Sequence, residues 1–153
     1  MKLAIELMKD ACTVSAKLAM EETERALGCL YLEEGEEAVL SGMVNGLANQ
    51  AHGEAKKLGF SDRSKGRLRR PSEEFAENTY LNWGINAKGL KRSEEFTELK
   101  GTFLAFIKER TPQKPAGRRE QVLYEVQASV LRLIRITELQ GYEEGYTAAG
   151  IAS

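Results

Sequence analysis

Residues 118–140 read RREQVLYEVQASVLRLIRITELQ. Val122, Leu123, Val126, Val130, Leu133 and Ile134 recur three or four residues apart, which lines one face of a helix. Leu131, Ile136 and Leu139 widen that face, so this helix belongs at the centre of an assembly of helices. Gly141 supplies a stop signal. Residues 142–153, YEEGYTAAGIAS, carry no period and read as a flexible C-terminal tail. Within it Tyr142 and Tyr146 flank Glu143 and Glu144, the composition of a short acidic-aromatic docking segment.

Working outward, four more helices are expected. The first covers about 2–27, with Leu3, Leu7, Ala11, Val14 and Leu18 on one face and Gly28 as its stop. The second covers about 36–58, with Leu40, Met43, Leu47, Ala51 and Leu58 as its stripe. Glu36 and Glu37 open it and Lys56 and Lys57 close it, as the helix dipole favours. Gly59 then reads as a left-handed cap. Gly42, Gly46 and Gly53 each cost about 1 kcal/mol in a helix interior. Gly42 and Gly46 share a face, so close approach of another backbone there is the expected compensation. The third and fourth helices cover about 72–87 and 93–110. Both open on Ser-Glu-Glu-Phe, at 72–75 and 93–96, a serine N-cap followed by acids. Thr111–Gly117 holds two prolines and reads as a linker. The expected fold is all-α, a single compact bundle of about five helices over residues 1–141, with a basic loop at 59–71 between the second and third.

Charge is unevenly placed along this chain. Residues 56–70, KKLGFSDRSKGRLRR, set Lys56, Lys57, Arg63, Lys65, Arg67, Arg69 and Arg70 against Asp62 alone. Residues 21–37 set Glu21, Glu22, Glu24, Glu33, Glu34, Glu36 and Glu37 against Arg25 alone. The 153 residues carry a formal charge of −1, so no overall basic character marks a dedicated nucleic-acid binder. Lys88, Lys91 and Arg92 lie near Trp83 in sequence, the cation-with-aromatic composition that stacks single-stranded bases.

Chemistry-bearing residues are few. His52 is the one histidine, and Cys12 and Cys29 form no metal spacing. Glu21, Glu24 and Glu54 are the candidates for a magnesium site. No phosphate-binding glycine motif is present, and no run is apolar enough to span a bilayer. Early charges interrupt the apolar N-terminus, which argues against a signal peptide and for a cytoplasmic protein. No motif marks a known family. The resulting expectation is a protein without catalytic residues, cofactor or metal. It docks on a larger protein or ribonucleoprotein complex through its charged surfaces, as a small subunit or a phage-type inhibitor of a host complex would. Direct RNA or DNA binding through 56–70 and a small metal-dependent helical enzyme are the alternatives, and a homo-oligomer stays open.

Overall fold

The computed structural model describes residues 1–9, 13–76, 83 and 88–152. All regular structure among them is helical. A 3₁₀ turn, Glu6–Met8, precedes α1 (Val14–Leu27), α2 (Glu36–Ser64), α3 (Glu73–Ala76), α4 (Glu94–Glu109) and α5 (Ala116–Ala152). No helix among the described residues is long and apolar enough to cross a membrane.

The central position of α5 is as expected. Val122, Val126, Val130, Leu131, Leu133 and Ile134 are fully buried. Side-chain contacts give the directions of its neighbours. Glu22 pairs with Arg132, and Cys29 Sγ meets Arg118, so α1 runs antiparallel to α5. Ser93 bonds Gln50 and Glu54, while Arg110 bonds Glu36, so α4 runs antiparallel to α2. Gly141 lies against His52 and Gly145 against Lys56, so α2 and α5 run parallel.

That parallel crossing overturns two expected helix ends. Gly59 and Gly141 are both interior to helices. A Cβ on Gly59 would lie 2.9 Å from the Tyr146 amide nitrogen, and one on Gly141 would lie 3.0 Å from the His52 carbonyl carbon. On Gly145 it would lie 2.8 Å from the Lys56 carbonyl carbon. Carbon atoms in contact sit at about 3.5–4.0 Å, so only glycine lets these backbones touch. Ala51, Ala55 and Gly59 on α2, and Gly141, Gly145 and Ala149 on α5, are six small buried positions spaced by four. The expected close approach at Gly42 does not occur, since a Cβ there would meet nothing within 4 Å. At Gly46 the neighbour is the Leu99 side chain, 2.6 Å from a Cβ, not a backbone.

The expected flexible tail is therefore the last three turns of α5. Tyr142, Tyr146 and Ala149 are buried there, the two tyrosines in a satellite cluster with Ala55, Leu58, Phe75 and Leu90. The α2 helix continues to Ser64, and Gly66, at φ +72°, turns the chain instead of Gly59.

The N-terminus also departs from the single helix expected over 2–27. Thr13 Oγ1 accepts from Ala16 N at 3.2 Å and starts α1 there. Before it, the amides of Leu3, Ala4 and Glu6 donate to Glu24, Ser41 and Asn45 side chains at 2.8, 2.9 and 2.9 Å. Those donors are satisfied across two helices, so the segment has no need of its own helical bonds. Val14 and Leu18, expected on the apolar face, are 73% and 50% exposed. For the expected third helix the structure describes one turn, Glu73–Ala76, and residues 77–82 and 84–87 lie outside the described residues, as does Cys12. α4 matches its expectation closely, with Ser93 Oγ accepting from Phe96 N at 3.1 Å.

Candidate docking surface

The basic segment divides in two. Lys56, Lys57 and Arg63 stand exposed on the last turns of α2, and Lys65–Arg70 form a loop beyond it. This loop begins later and is shorter than the expected one at 59–71.

Buried groups hold the loop at both ends. Arg67 N donates to the Asp62 carbonyl at 2.8 Å, and the Tyr146 hydroxyl donates to the Arg67 carbonyl at 2.7 Å. Arg70 N donates to the Tyr142 hydroxyl at 3.1 Å, which in turn donates to Asp62 Oδ2 at 2.9 Å. The Arg70 guanidinium bonds Asp62 at 2.7 Å and Glu74 at 3.4 Å, and also reaches the Lys88 carbonyl. Asp62 is 1% exposed. Its charge is kept because burial, which pushes the carboxyl up, is outweighed. Hydrogen bonds from Arg70 and Tyr142, with the fields of Arg70 and Arg67, hold it below its ordinary value. Burial raises the Tyr142 phenol to about 12, and the neighbouring carboxylate adds to the shift.

Between these fixed points stands Leu68, 89% exposed. Arg67 and Arg69 flank it, both more than half exposed. Arg69 also pairs with Glu143 at 2.7 Å. The guanidinium carbons of Arg63 and Arg69 lie over the Tyr146 ring, 5.1 and 4.9 Å from its centroid. The arrangement is a loop anchored at both ends, with an apolar tip between cations.

Other expected site residues are placed differently. Arg70 is an internal counterion and is not available to a partner. Arg92 is also turned inward, pairing with Glu54 at 2.6 Å and Glu138 at 2.9 Å and lying over the Phe96 ring. Trp83 is 7% exposed, packs beside Phe103 and donates Nε1–H to Gln127 at 3.4 Å. It has no open face on which a base could stack. Lys88 and Lys91 are exposed.

The acidic segment does not meet the basic one. Among the described residues the acids paired with 56–70 are Asp62, Glu74 and Glu143. Glu22 pairs with Arg132, Glu24 caps the N-terminal backbone, and Glu36 binds Arg110 with Nε 2.7 Å away. The Arg110 hydrogen bond holds the Glu36 carboxyl low. Glu21, Glu33, Glu34 and Glu37 are exposed. The candidate magnesium ligands Glu24 and Glu54 are each engaged with other donors. Among the described residues no three His, Cys, Asp or Glu side chains are grouped to hold a metal. His52 Nε2 sits 2.8 Å from Glu144 Oε2 across the α2–α5 crossing.

The sequence pattern placed Tyr142 and Tyr146 in a docking tail and Asp62 as the lone acid of the basic segment, and missed that they anchor the loop and that Leu68 is its exposed tip. A signal for the tyrosines existed. Small residues at 141, 145 and 149 continue the helical spacing past the apparent stop, and Tyr142 and Tyr146 ride on the same turns.

Comparison with protein-family models, with curated proteins and with solved structures finds no match.

Proposed function

We propose that the protein is a non-catalytic docking module, a small subunit or inhibitor that seats on a larger acidic protein complex. The observation that carries this reading is the exposed Leu68 held between Arg67 and Arg69 by buried Asp62, Tyr142 and Tyr146. Ordering a free backbone residue costs about 1–2 kcal/mol. A loop already fixed avoids that cost on binding, so its contacts count more fully toward affinity. An apolar socket ringed by carboxylates is the complementary surface. The cations set encounter rate and orientation, and Leu68 supplies burial.

Direct binding of RNA or DNA is the alternative. The outward cations of α2 and the loop favour it, and the buried Trp83 counts against it. Affinity capture from the native host separates the two. The account expects a protein partner that survives nuclease treatment and is lost with Leu68→Asp and with paired Arg67→Glu and Arg69→Glu. Loss of every partner on nuclease treatment, or full retention by Leu68→Asp, would overturn it.

A further inference from the structure

A cleft of about 340 Å³ opens between α2 and the segment leading into α4. Lys57 and Ser61 line it from α2, and Lys91, Arg92 and Ser93 line it from the other side, with Glu54 between. Its charged groups divide into spent and unspent. The Glu54 carboxylate accepts from Arg92 Nη1 on one oxygen and from Ser93 N on the other, both at 2.6 Å, and its side chain is nearly buried. Arg92 is spent on Glu54, Glu138, the Trp83 carbonyl and the Phe96 ring. Lys57 and Lys91 are exposed and enter no ion pair among the described residues, and the Ser61 hydroxyl has no partner among them.

What the cleft offers a visitor is thus two lysines without an ion pair, lining one space from different segments, and a serine. The unspent groups are mainly donors, so the matching ligand is an anion with several acceptor oxygens. A single carboxylate would use only part of this set. The geometry points to a binding site for the diphosphate group of a small phosphorylated molecule. Its two phosphoryl units can take one lysine each, with Ser61 donating to a third oxygen. Each such contact is charge-assisted and is stronger than a neutral hydrogen bond. The cleft is larger than a diphosphate alone, which leaves room for an attached organic group. The inference does not depend on the Leu68 loop and stands or falls separately from the docking role.

Calorimetric titration of the full chain with pyrophosphate, and separately with ADP, tests it at low ionic strength. Saturable binding of pyrophosphate is expected, weakened about tenfold by Lys57→Gln and by Lys91→Gln. Lys56→Gln is the control, because Lys56 is exposed one residue away but does not line the cleft. It should leave the affinity within about twofold. Equal affinity for ADP identifies the diphosphate itself as the ligand, and tighter binding of ADP shows that the organic group also finds the cleft. Absence of saturation at millimolar pyrophosphate overturns the proposal. So does a loss with Lys56→Gln as large as with Lys57→Gln, which marks diffuse surface charge. Circular dichroism on each variant excludes unfolding as the cause.

Discussion

Gly145→Ala adds one methyl group where α2 and α5 cross. The new carbon would lie 2.8 Å from the Lys56 carbonyl carbon and 3.0 Å from Lys56 Cα. Contact distance is about 3.5–4.0 Å, so the helices must part by roughly 0.5–1 Å. The obstacle is backbone, so no rotamer change relieves it. A gap of that size forfeits about a quarter to a half of the dispersion energy of atom pairs along the crossing. Overpacking of this kind costs about 1–3 kcal/mol, occasionally more. The gain in helix propensity from Gly to Ala returns only about 1 kcal/mol. A net destabilisation of about 1 kcal/mol follows, and about 2 kcal/mol at the upper end of that cost. Gly53→Ala is the internal control. It is the same chemical change in the same pair of helices, yet its Cβ would meet nothing within 4 Å. It should stabilise by about 0.5–1 kcal/mol. Urea unfolding reads the contrast directly. With a slope of about 2 kcal/mol/M, the Gly145→Ala midpoint falls by about 0.5 M while the Gly53→Ala midpoint rises. If Gly145→Ala is no less stable than Gly53→Ala, the backbone crossing is wrong.

Further predictions concern the buried charges. Glu138→Ala leaves Arg92 and Arg135 without the carboxylate they share at 2.9 and 2.6 Å, and should cost about 3–5 kcal/mol in chemical denaturation. Glu138→Gln keeps the shape and one acceptor and should cost less. Stability should also fall at both ends of the pH range. Asp62 and Glu36 are held below their ordinary values, so their contribution is present above about pH 4 and is lost as pH falls through their folded values. Tyr142 is raised, so its contribution is complete below about pH 10 and is lost as pH rises through about 12. Thermal melts against pH should show the alkaline limb flattened in Tyr142→Phe and the acid limb flattened in Asp62→Asn. Unchanged limbs in both variants would remove the Asp62–Tyr142 pair from the account.

The helical class, the central helix and the Ser93 cap were legible because each rests on local spacing or on one hydrogen bond within four residues. The ends of α2 and α5 were not. A glycine that stops a helix and a glycine that admits a second backbone look alike until the partner helix is known. Gly59 meets Tyr142 and Tyr146, and Gly141 meets His52, each more than eighty residues away in sequence. The same distance hid the candidate surface. Seven cations in fifteen residues were visible as charge, but Arg70 turns inward because Asp62 and Tyr142 meet only in the folded chain. Arg92 and Trp83 looked like a stacking pair, yet burial among α2, α4 and α5 commits both to the core. Leu68 carried no signal, because one leucine among arginines has no period.

The central claim is that residues 67–69 form a rigid, outward-facing platform anchored by the inward-turned Arg70, and not a floppy basic linker. Backbone ¹⁵N relaxation at Leu68 and Arg69 tests it most directly, in the wild type and in Tyr142→Phe. The account predicts order parameters near those of the helices in the wild type, about 0.8, falling below about 0.6 when the Tyr142 hydroxyl is removed. Order parameters below about 0.6 at Leu68 in the wild type, or no change in Tyr142→Phe, would contradict it.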